Sequence, residues 1–88
     1  MLRIVEAQPL GNYTLKLRFN DGASGVADLS HIKRNGVFEP WNEPGFFERV
    51  FVHPEFGTVT WPGELDLDPY VLYSQVTGRA IEEVLETV

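Results

Sequence analysis

The sequence contains no cysteine, one methionine and no long apolar run, and each of these absences excludes a class of protein or site. Without cysteine the chain has no disulfide, no thiolate metal ligand and no cysteine nucleophile, so we expect packing to stabilise it. No apolar run approaches the roughly 20 residues that a membrane-spanning helix requires. The segment Met1–Glu6 carries charge and lacks the apolar stretch of a signal peptide. We therefore expect a cytoplasmic protein that does not enter a membrane.

Basic residues are also scarce, seven against thirteen acidic ones, and they are scarcest in the second half of the chain. From Asn42 onward Arg49 and Arg79 stand against nine acidic residues, which gives this half a net charge of −7. A surface of this sign repels phosphate backbones and attracts cations. The composition therefore disfavours direct nucleic-acid binding and favours a basic protein partner or self-association.

The residues that are present are those of a folded chain. Hydrophobic residues make up 43% of the 88 residues, and they include two tryptophans, three tyrosines and six phenylalanines. This fraction is typical of globular proteins, and the length leaves room for one core. We expect a single domain over residues 1–88.

Alternating apolar and polar residues predict strands in the first third of the chain. The clearest case is 13–19, where apolar residues alternate with Thr14, Lys16 and Arg18. A strand over 3–8, stopped by Pro9 and Gly11, precedes it, and the turn at 20–22 returns the chain into a third strand over 23–29. These segments predict a three-stranded antiparallel meander.

The remaining elements complete an α+β prediction. Two β-branched and aromatic runs, 49–53 and 57–61, predict a second hairpin. Short helical turns are expected at 28–36, capped by Asp28 or Ser30, and after Pro44. The last helical segments are expected to begin at Asp68-Pro69 and at Arg79. The predicted fold is one curved antiparallel sheet of about five strands, packed by two or three short helices.

The segment from Trp61 to Pro69 combines architectural signals with three carboxylates. Trp61 is expected in the core, the turn is assigned to Pro62 and Gly63, and a helix is expected to start at Asp68 and Pro69. If the stretch between them is extended, three carboxylates share one side; they are Glu64, Asp66 and Asp68. They could bind a divalent cation, but their spacing matches no EF-hand. We interpret Asp68 as the cap of the helix and Asp66 as an acceptor of main-chain hydrogen bonds in the turn after Pro62 and Gly63. The three carboxylates are also expected to form the centre of an acidic interaction surface, with no metal or cofactor.

Three other groups of residues are candidate sites. Trp41 lies in a connection rich in proline and asparagine, so it is the better candidate of the two tryptophans for an exposed aromatic on the interaction surface, although packing is the safer interpretation. His31 and His53 have no serine or cysteine neighbour in a nucleophile motif, so we expect surface histidines and no catalytic residue. A basic patch is conceivable, but a solvated face is the simpler interpretation; its members would be Lys16, Arg18, Lys33 and Arg34.

Several motifs together point to one family. They are Val26-Ala27-Asp28-Leu29-Ser30, then Phe47-Glu48-Arg49-Val50, and finally the run from Thr58 to Pro69 followed by Leu72-Tyr73. The spacing of Trp-Pro, Asp-Leu-Asp-Pro and Leu-Tyr in the last motif is the most specific feature. On these motifs the chain resembles the domain-of-unknown-function family 2442, a group of small bacterial proteins.

The resemblance implies a fold and a biological setting. Members have an α+β fold with a curved antiparallel sheet, and they occur alone or fused ahead of a helix-turn-helix domain. Stand-alone members are often encoded beside another small protein, in arrangements resembling toxin–antitoxin pairs. The fifteen residues after Tyr73 are too few for a helix-turn-helix bundle, and the resemblance supplies no catalytic residue to carry over.

The expected function is a non-catalytic protein-interaction module, the acidic partner in a toxin–antitoxin-like gene pair. One alternative is a transcription-regulatory accessory domain without its own DNA-binding helices, which salt-sensitive binding to promoter DNA would support. A second alternative is a small ligand-binding protein or hydrolase, which would require an apolar pocket with convergent polar groups.

Overall fold

The computed structural model describes residues 1–86, with side chains as far as Val84. The fold is α+β, and it contains two three-stranded antiparallel sheets, two short α-helices and two 3₁₀ segments. The strands are β1 (Ile4–Gly11), β2 (Thr14–Phe19), β3 (Ser24–Asp28), β4 (Phe51–Val52), β5 (Val59–Trp61) and β6 (Leu65–Asp66). The helices are α1 (Pro69–Thr77) and α2 (Ile81–Glu86), and the 3₁₀ segments are Gly36–Asn42 and Phe47–Arg49.

The first sheet is the predicted meander, in the order β1-β2-β3. The alternation along β2 holds, because its apolar side chains are buried and Lys16 and Arg18 are exposed. The prediction that Pro9 ends the first strand is wrong, since β1 continues to Gly11 and Pro9 pairs with Leu15. A proline has no main-chain N–H to donate to a neighbouring strand. It is tolerated here because β1 is an edge strand and pairs only with β2 in this sheet.

The second sheet has the order β4-β5-β6, so the expected single sheet of about five strands is wrong. The predicted second hairpin is present as β4 and β5, and β6 adds a third strand. Ile4 donates its main-chain N–H to the Gly57 carbonyl at 2.8 Å, which joins β1 to the loop after β4. The β1–β2 register shifts between Ile4 and Glu6, and such bulges bend a strand. The bend lies where the two sheets meet, and each sheet keeps its own hydrogen-bond ladder.

The connection between the sheets differs from the prediction. No helix forms over 28–35 of the described chain, and Gly36 begins a 3₁₀ segment instead of ending a helical turn. Asp28 lies at the end of β3, where its carboxylate accepts hydrogen bonds from the Ser30 N–H and hydroxyl. Asparagine and aspartate side chains that bond their own backbone two residues on favour turns over helices.

Helix α1 begins and ends at the residues that the sequence indicates. The Asp68 carboxylate accepts a hydrogen bond from the Tyr70 N–H at 2.9 Å, and Pro69 occupies the first turn, where its missing N–H costs nothing. At the other end Gly78 is left-handed, with φ 75°, and its N–H bonds the Ser74 carbonyl. Helix α2 follows, and Val84 is its buried residue among the side chains described.

The buried side chains of both sheets, both helices and both 3₁₀ segments form one hydrophobic cluster. Its largest members are aromatic, and the Trp41 ring contacts four other rings in and around the cluster: Tyr13, Phe38, Phe47 and Trp61. Within the described residues no helix is long and apolar enough to cross a membrane.

Candidate functional site

A groove of about 600 Å³ lies on the outer face of the second sheet. Strand pairing places Phe51 opposite Thr60, and Thr60 opposite Asp66, so these three residues form a row across one face. His53 follows Phe51 by two positions, the spacing that returns a side chain to the same face of an extended chain. We call this site the β4–β6 groove; its lining residues are Phe51, His53, Pro54, Phe56, Thr60, Trp61, Pro62, Gly63, Glu64 and Asp66.

Aromatic rings form one wall of the β4–β6 groove. The His53 and Phe56 rings are stacked, with centroids 4.3 Å apart and planes 24° apart. Phe56 is 63% exposed and Phe51 is 44% exposed, although most phenylalanine side chains in small proteins are packed away from water. Exposed aromatic side chains that line a groove are typical of a binding surface.

The turn that carries Phe56 is fixed by two side chains. His53 Nδ1 accepts hydrogen bonds from the main-chain N–H groups of Glu55 and Phe56, at 3.1 and 3.2 Å. The Arg3 guanidinium donates to the carbonyls of Pro54 and Glu55, at 2.7 and 3.1 Å. A Cβ at Gly57 would lie 2.9 Å from the Arg3 side chain and would displace it, and the φ of 62° itself favours glycine. These contacts fix the main chain of the turn that carries Phe56.

The opposite rim of the β4–β6 groove is acidic. Glu64 and Asp66 both line it, and no lysine or arginine is among the lining residues. Neither carboxylate forms an ion pair or accepts a hydrogen bond from another described residue; the ion pairs found are Arg18–Glu6 and Arg79–Glu83. The prediction that Asp66 accepts main-chain hydrogen bonds in the turn is therefore wrong, since Asp66 lies in β6 with its side chain facing the groove. Two unpaired carboxylates beside apolar rings favour a ligand that carries a cation next to an apolar group.

The structure separates the three carboxylates that the sequence groups together. Glu64 and Asp66 belong to the β4–β6 groove, whereas Asp68 caps helix α1. Glu64 is in the left-handed region, with φ 64°, so the extended alternation assumed for the whole stretch begins only after it. Within the described part of the chain, no three acidic or histidine side chains are placed to hold a metal ion.

The assignment of Trp41 to the interaction surface is wrong. Its side chain is 1% exposed and packs against the Phe47 and Trp61 rings, with centroids 5.0 and 4.8 Å away. Phe38 and Trp41 are three residues apart in a 3₁₀ segment, and that spacing places both side chains on one side. Burial of a large aromatic surface drives this side inward.

Trp61, Pro62 and Gly63 have architectural positions. Trp61 is fully buried, and its indole Nε1 donates to the Phe47 carbonyl at 2.8 Å. Pro62 and Gly63 form the turn between β5 and β6, with Gly63 at φ 91°. These residues also border the β4–β6 groove, so the core and the groove share one wall.

The structure gives the histidines and the basic residues separate surroundings. His31 is exposed after β3, and the Nδ1 atom of His53 accepts hydrogen bonds from main-chain donors. Lys16 and Arg18 lie on the exposed side of β2, where Arg18 pairs with Glu6 at 3.6 Å. The Arg34 guanidinium instead lies 4.2 Å from the centroid of the Tyr13 ring.

Local hydrogen bonds lower the pKa of two aspartates outside the groove. The Tyr73 hydroxyl donates to Asp21 and, together with the Ala23 N–H, lowers the pKa of that carboxyl. The hydroxyl and N–H of Ser30 lower the pKa of Asp28 in the same way. A hydrogen bond to the charged form favours that form. Both carboxylates have structural partners, which distinguishes them from Glu64 and Asp66.

Sequence reasoning did not identify the aromatic wall of the groove. The sequence pattern assigns Phe51 and Phe56 to a hairpin and its turn, and His53 to the surface, without a binding role for any of them. Two features of the sequence could have indicated the wall. Phe51 and His53 are two residues apart, which places them on one face of a strand, and Phe56 follows in the turn after Pro54. The face on which that pair lies is decided by the pairing of β5 with both of its neighbours.

Comparison with known proteins identifies the family. The family model described as "Protein of unknown function (DUF2442)" matches residues 4–78, which include all six strands and helix α1. Neither the curated proteins nor the solved structures contain a match to this chain. Because the family model covers most of the 88 residues, the chain belongs to the DUF2442 family.

Proposed function

We propose that this protein is a non-catalytic interaction module that binds a basic segment of a partner protein in the β4–β6 groove. The observation that carries the proposal is the placement of two exposed phenylalanines beside two unpaired carboxylates. Apolar contact with Phe51 and Phe56 supplies affinity, and Glu64 and Asp66 select a positively charged segment.

The polar groups of the groove favour binding over catalysis. The Thr60 hydroxyl donates to the Thr58 carbonyl at 3.2 Å, so it is not paired with a base that could activate it. The Nδ1 atom of His53 already accepts two main-chain hydrogen bonds. Nucleophilic catalysis needs a nucleophile within hydrogen-bond reach of a base, and these two groups are engaged elsewhere.

The overall charge supports the same choice of partner. The second half of the chain has a net charge of −7, and the groove lies in that half. Long-range attraction therefore brings a basic partner toward the groove and keeps nucleic acid away. In this proposal the partner is the product of the adjacent gene, and the pair resembles a toxin–antitoxin arrangement.

Co-expression with the product of the adjacent gene, followed by size-exclusion chromatography, tests the proposal. We expect a complex with the wild-type chain that is lost in Phe56→Ser and Asp66→Lys. The matched controls are Val26→Ser, an exposed apolar residue on the other sheet, and Glu82→Lys, which makes the same charge change on α2. Both controls should retain the complex.

Three outcomes would overturn the proposal. They are failure to form a complex, equal loss of the complex in the control variants, and retention of the complex in both groove variants. A dimer of the chain alone that Phe56→Ser dissociates would assign the groove to self-association instead. Melting temperatures of all four variants establish that each is folded.

A further inference from the structure

We infer that the β4–β6 groove is built for an arginine side chain of the partner segment in preference to lysine. This inference rests on the proposed function and narrows the chemistry of the ligand. It draws on the shape of the aromatic wall, the hydrogen-bonding state of His53 and the position of the two carboxylates.

The aromatic wall presents a flat surface. His53 and Phe56 stack nearly parallel at 4.3 Å, and the outer side of Phe56 remains in water. A guanidinium group is planar and weakly hydrated, and it stacks on such faces, whereas an ammonium group is compact and strongly hydrated. The wall therefore favours arginine over lysine.

The contacts beside the wall leave it free of a competing cation. Nδ1 of His53 accepts hydrogen bonds from the N–H groups of Glu55 and Phe56, which holds the ring against the turn. Arg3, the cation beside this turn, directs its guanidinium to the carbonyls of Pro54 and Glu55. Within the described chain no lysine or arginine lines the groove, so an incoming guanidinium meets no competing cation there.

The carboxylates lie across the floor from this wall. The pairing of Phe51, Thr60 and Asp66 spans three adjacent strands, so the main chains at Phe51 and Asp66 are separated by two interstrand spacings, roughly 10 Å, with Thr60 between them. An arginine side chain fits this arrangement, because the face of its planar guanidinium stacks on Phe56 while the N–H groups at its edge donate to the carboxylates as a fork.

Isothermal titration with three acetylated, amidated pentapeptides tests the inference. The peptides are identical, with leucine on either side of a central arginine, lysine or citrulline, so that only the central group changes. We expect the arginine peptide to bind about fivefold or more tightly than the lysine peptide, and the neutral citrulline peptide to bind more weakly than both.

Groove variants assign the preference to particular contacts. Phe56→Leu keeps an apolar side chain but removes the aromatic face, so it should weaken the arginine peptide about two- to fivefold and leave the lysine peptide nearly unchanged. Glu64→Gln and Asp66→Asn should weaken both charged peptides, because they remove the negative charge and keep the side-chain shape. Glu82→Gln is the control for net charge and should have no effect.

Equal affinities for the arginine and lysine peptides, or an unchanged preference in Phe56→Leu, would overturn the inference. In that case the complex with the adjacent gene product could still form and still require Phe56 and Asp66, so the proposed function would stand. Equal binding of the citrulline and arginine peptides would also overturn it, because charge would then be irrelevant.

Discussion

At the scale of single residues, the two tryptophans show how similar side chains acquire different roles. Both are buried and their rings are 4.8 Å apart. Trp61 donates its indole N–H to the Phe47 carbonyl, whereas the Nε1 atom of Trp41 is buried without a hydrogen-bond partner among the described residues. A buried donor without a partner lowers stability, so the two rings do not contribute equally.

This difference predicts unequal effects of tryptophan-to-phenylalanine substitutions. Both variants lose apolar contact, but Trp61→Phe also loses a hydrogen bond and leaves the Phe47 carbonyl with the longer bond of 3.3 Å from Val50. Trp41→Phe instead removes the unpaired donor. We expect Trp61→Phe to lower the free energy of unfolding by about 1 kcal/mol more than Trp41→Phe, measured by urea denaturation. Equal losses would show that the indole hydrogen bond adds no net stability.

At the scale of elements, strand β6 and helix α1 show where local pattern was sufficient and where it was not. Both limits of α1 are readable from the sequence, because Asp68, Pro69 and Gly78 act through local hydrogen bonds and fixed backbone angles. Strand β6 has only two residues, and it exists because Thr60 and Trp61 pair with Asp66 and Leu65. Such a short strand is defined by its partner, so its own sequence carries little signal.

Helix α1 packs on β3 at a close approach that Gly25 permits. A Cβ at this position would lie 2.7 Å from Cγ1 of Val76, a branched side chain with little rotational freedom. We therefore expect Gly25→Ala to destabilise the protein by about 1–3 kcal/mol in urea denaturation.

The double variant Gly25→Ala with Val76→Ala isolates the contact. Removing the Val76 methyl groups creates space for the new Cβ, so the two substitutions should cost less together than the sum of their separate effects. Ser24→Ala, at the exposed neighbouring position, is the control and should be nearly neutral. Strictly additive losses would mean that Gly25 matters for its backbone and not for this packing.

At the scale of the whole molecule, the acidic side chains differ in whether they form hydrogen bonds within the described part of the fold. Asp21 joins the β2–β3 turn to helix α1 by accepting a hydrogen bond from the Tyr73 hydroxyl. The Tyr73 ring makes an edge-to-face contact with Phe19. Glu64 and Asp66 lack such partners among the described residues and face the β4–β6 groove. The net negative charge is therefore partly structural and partly available to a ligand.

The Asp21–Tyr73 hydrogen bond predicts how stability depends on pH. The bond lowers the pKa of Asp21 below its usual 3.8, so its stabilising effect is present above that pH and is lost as pH falls through the lowered pKa. The same bond raises the pKa of Tyr73 above 10.0. The stabilising effect of the bond is therefore present below pH 10.0 and is lost as pH rises through the raised pKa. Tyr73→Phe should reduce stability at pH 7 by about 0.5–1 kcal/mol, since the carboxylate is exposed.

Urea denaturation between pH 2.5 and 7 checks this expectation. The difference in unfolding free energy between the wild type and Tyr73→Phe should shrink below about pH 3.8. As a control, Tyr73→Phe should give the same pH-dependent difference in an Asp28→Asn background, because the pKa of Asp28 depends on Ser30 and not on Tyr73. Parallel pH curves for wild type and Tyr73→Phe would contradict the prediction.

The sequence by itself determined the strands of the meander, the second hairpin, the limits of helix α1, the burial of Trp61 and the family. Each of these follows from alternation, turn residues, capping or a motif, which act over a few neighbouring residues. Only the tertiary structure decided that the strands form two sheets, that Trp41 lies in the core, and that Phe51, Phe56, Glu64 and Asp66 line one groove. These features depend on which strands pair and which rings meet across distant parts of the chain, and no local pattern encodes that choice.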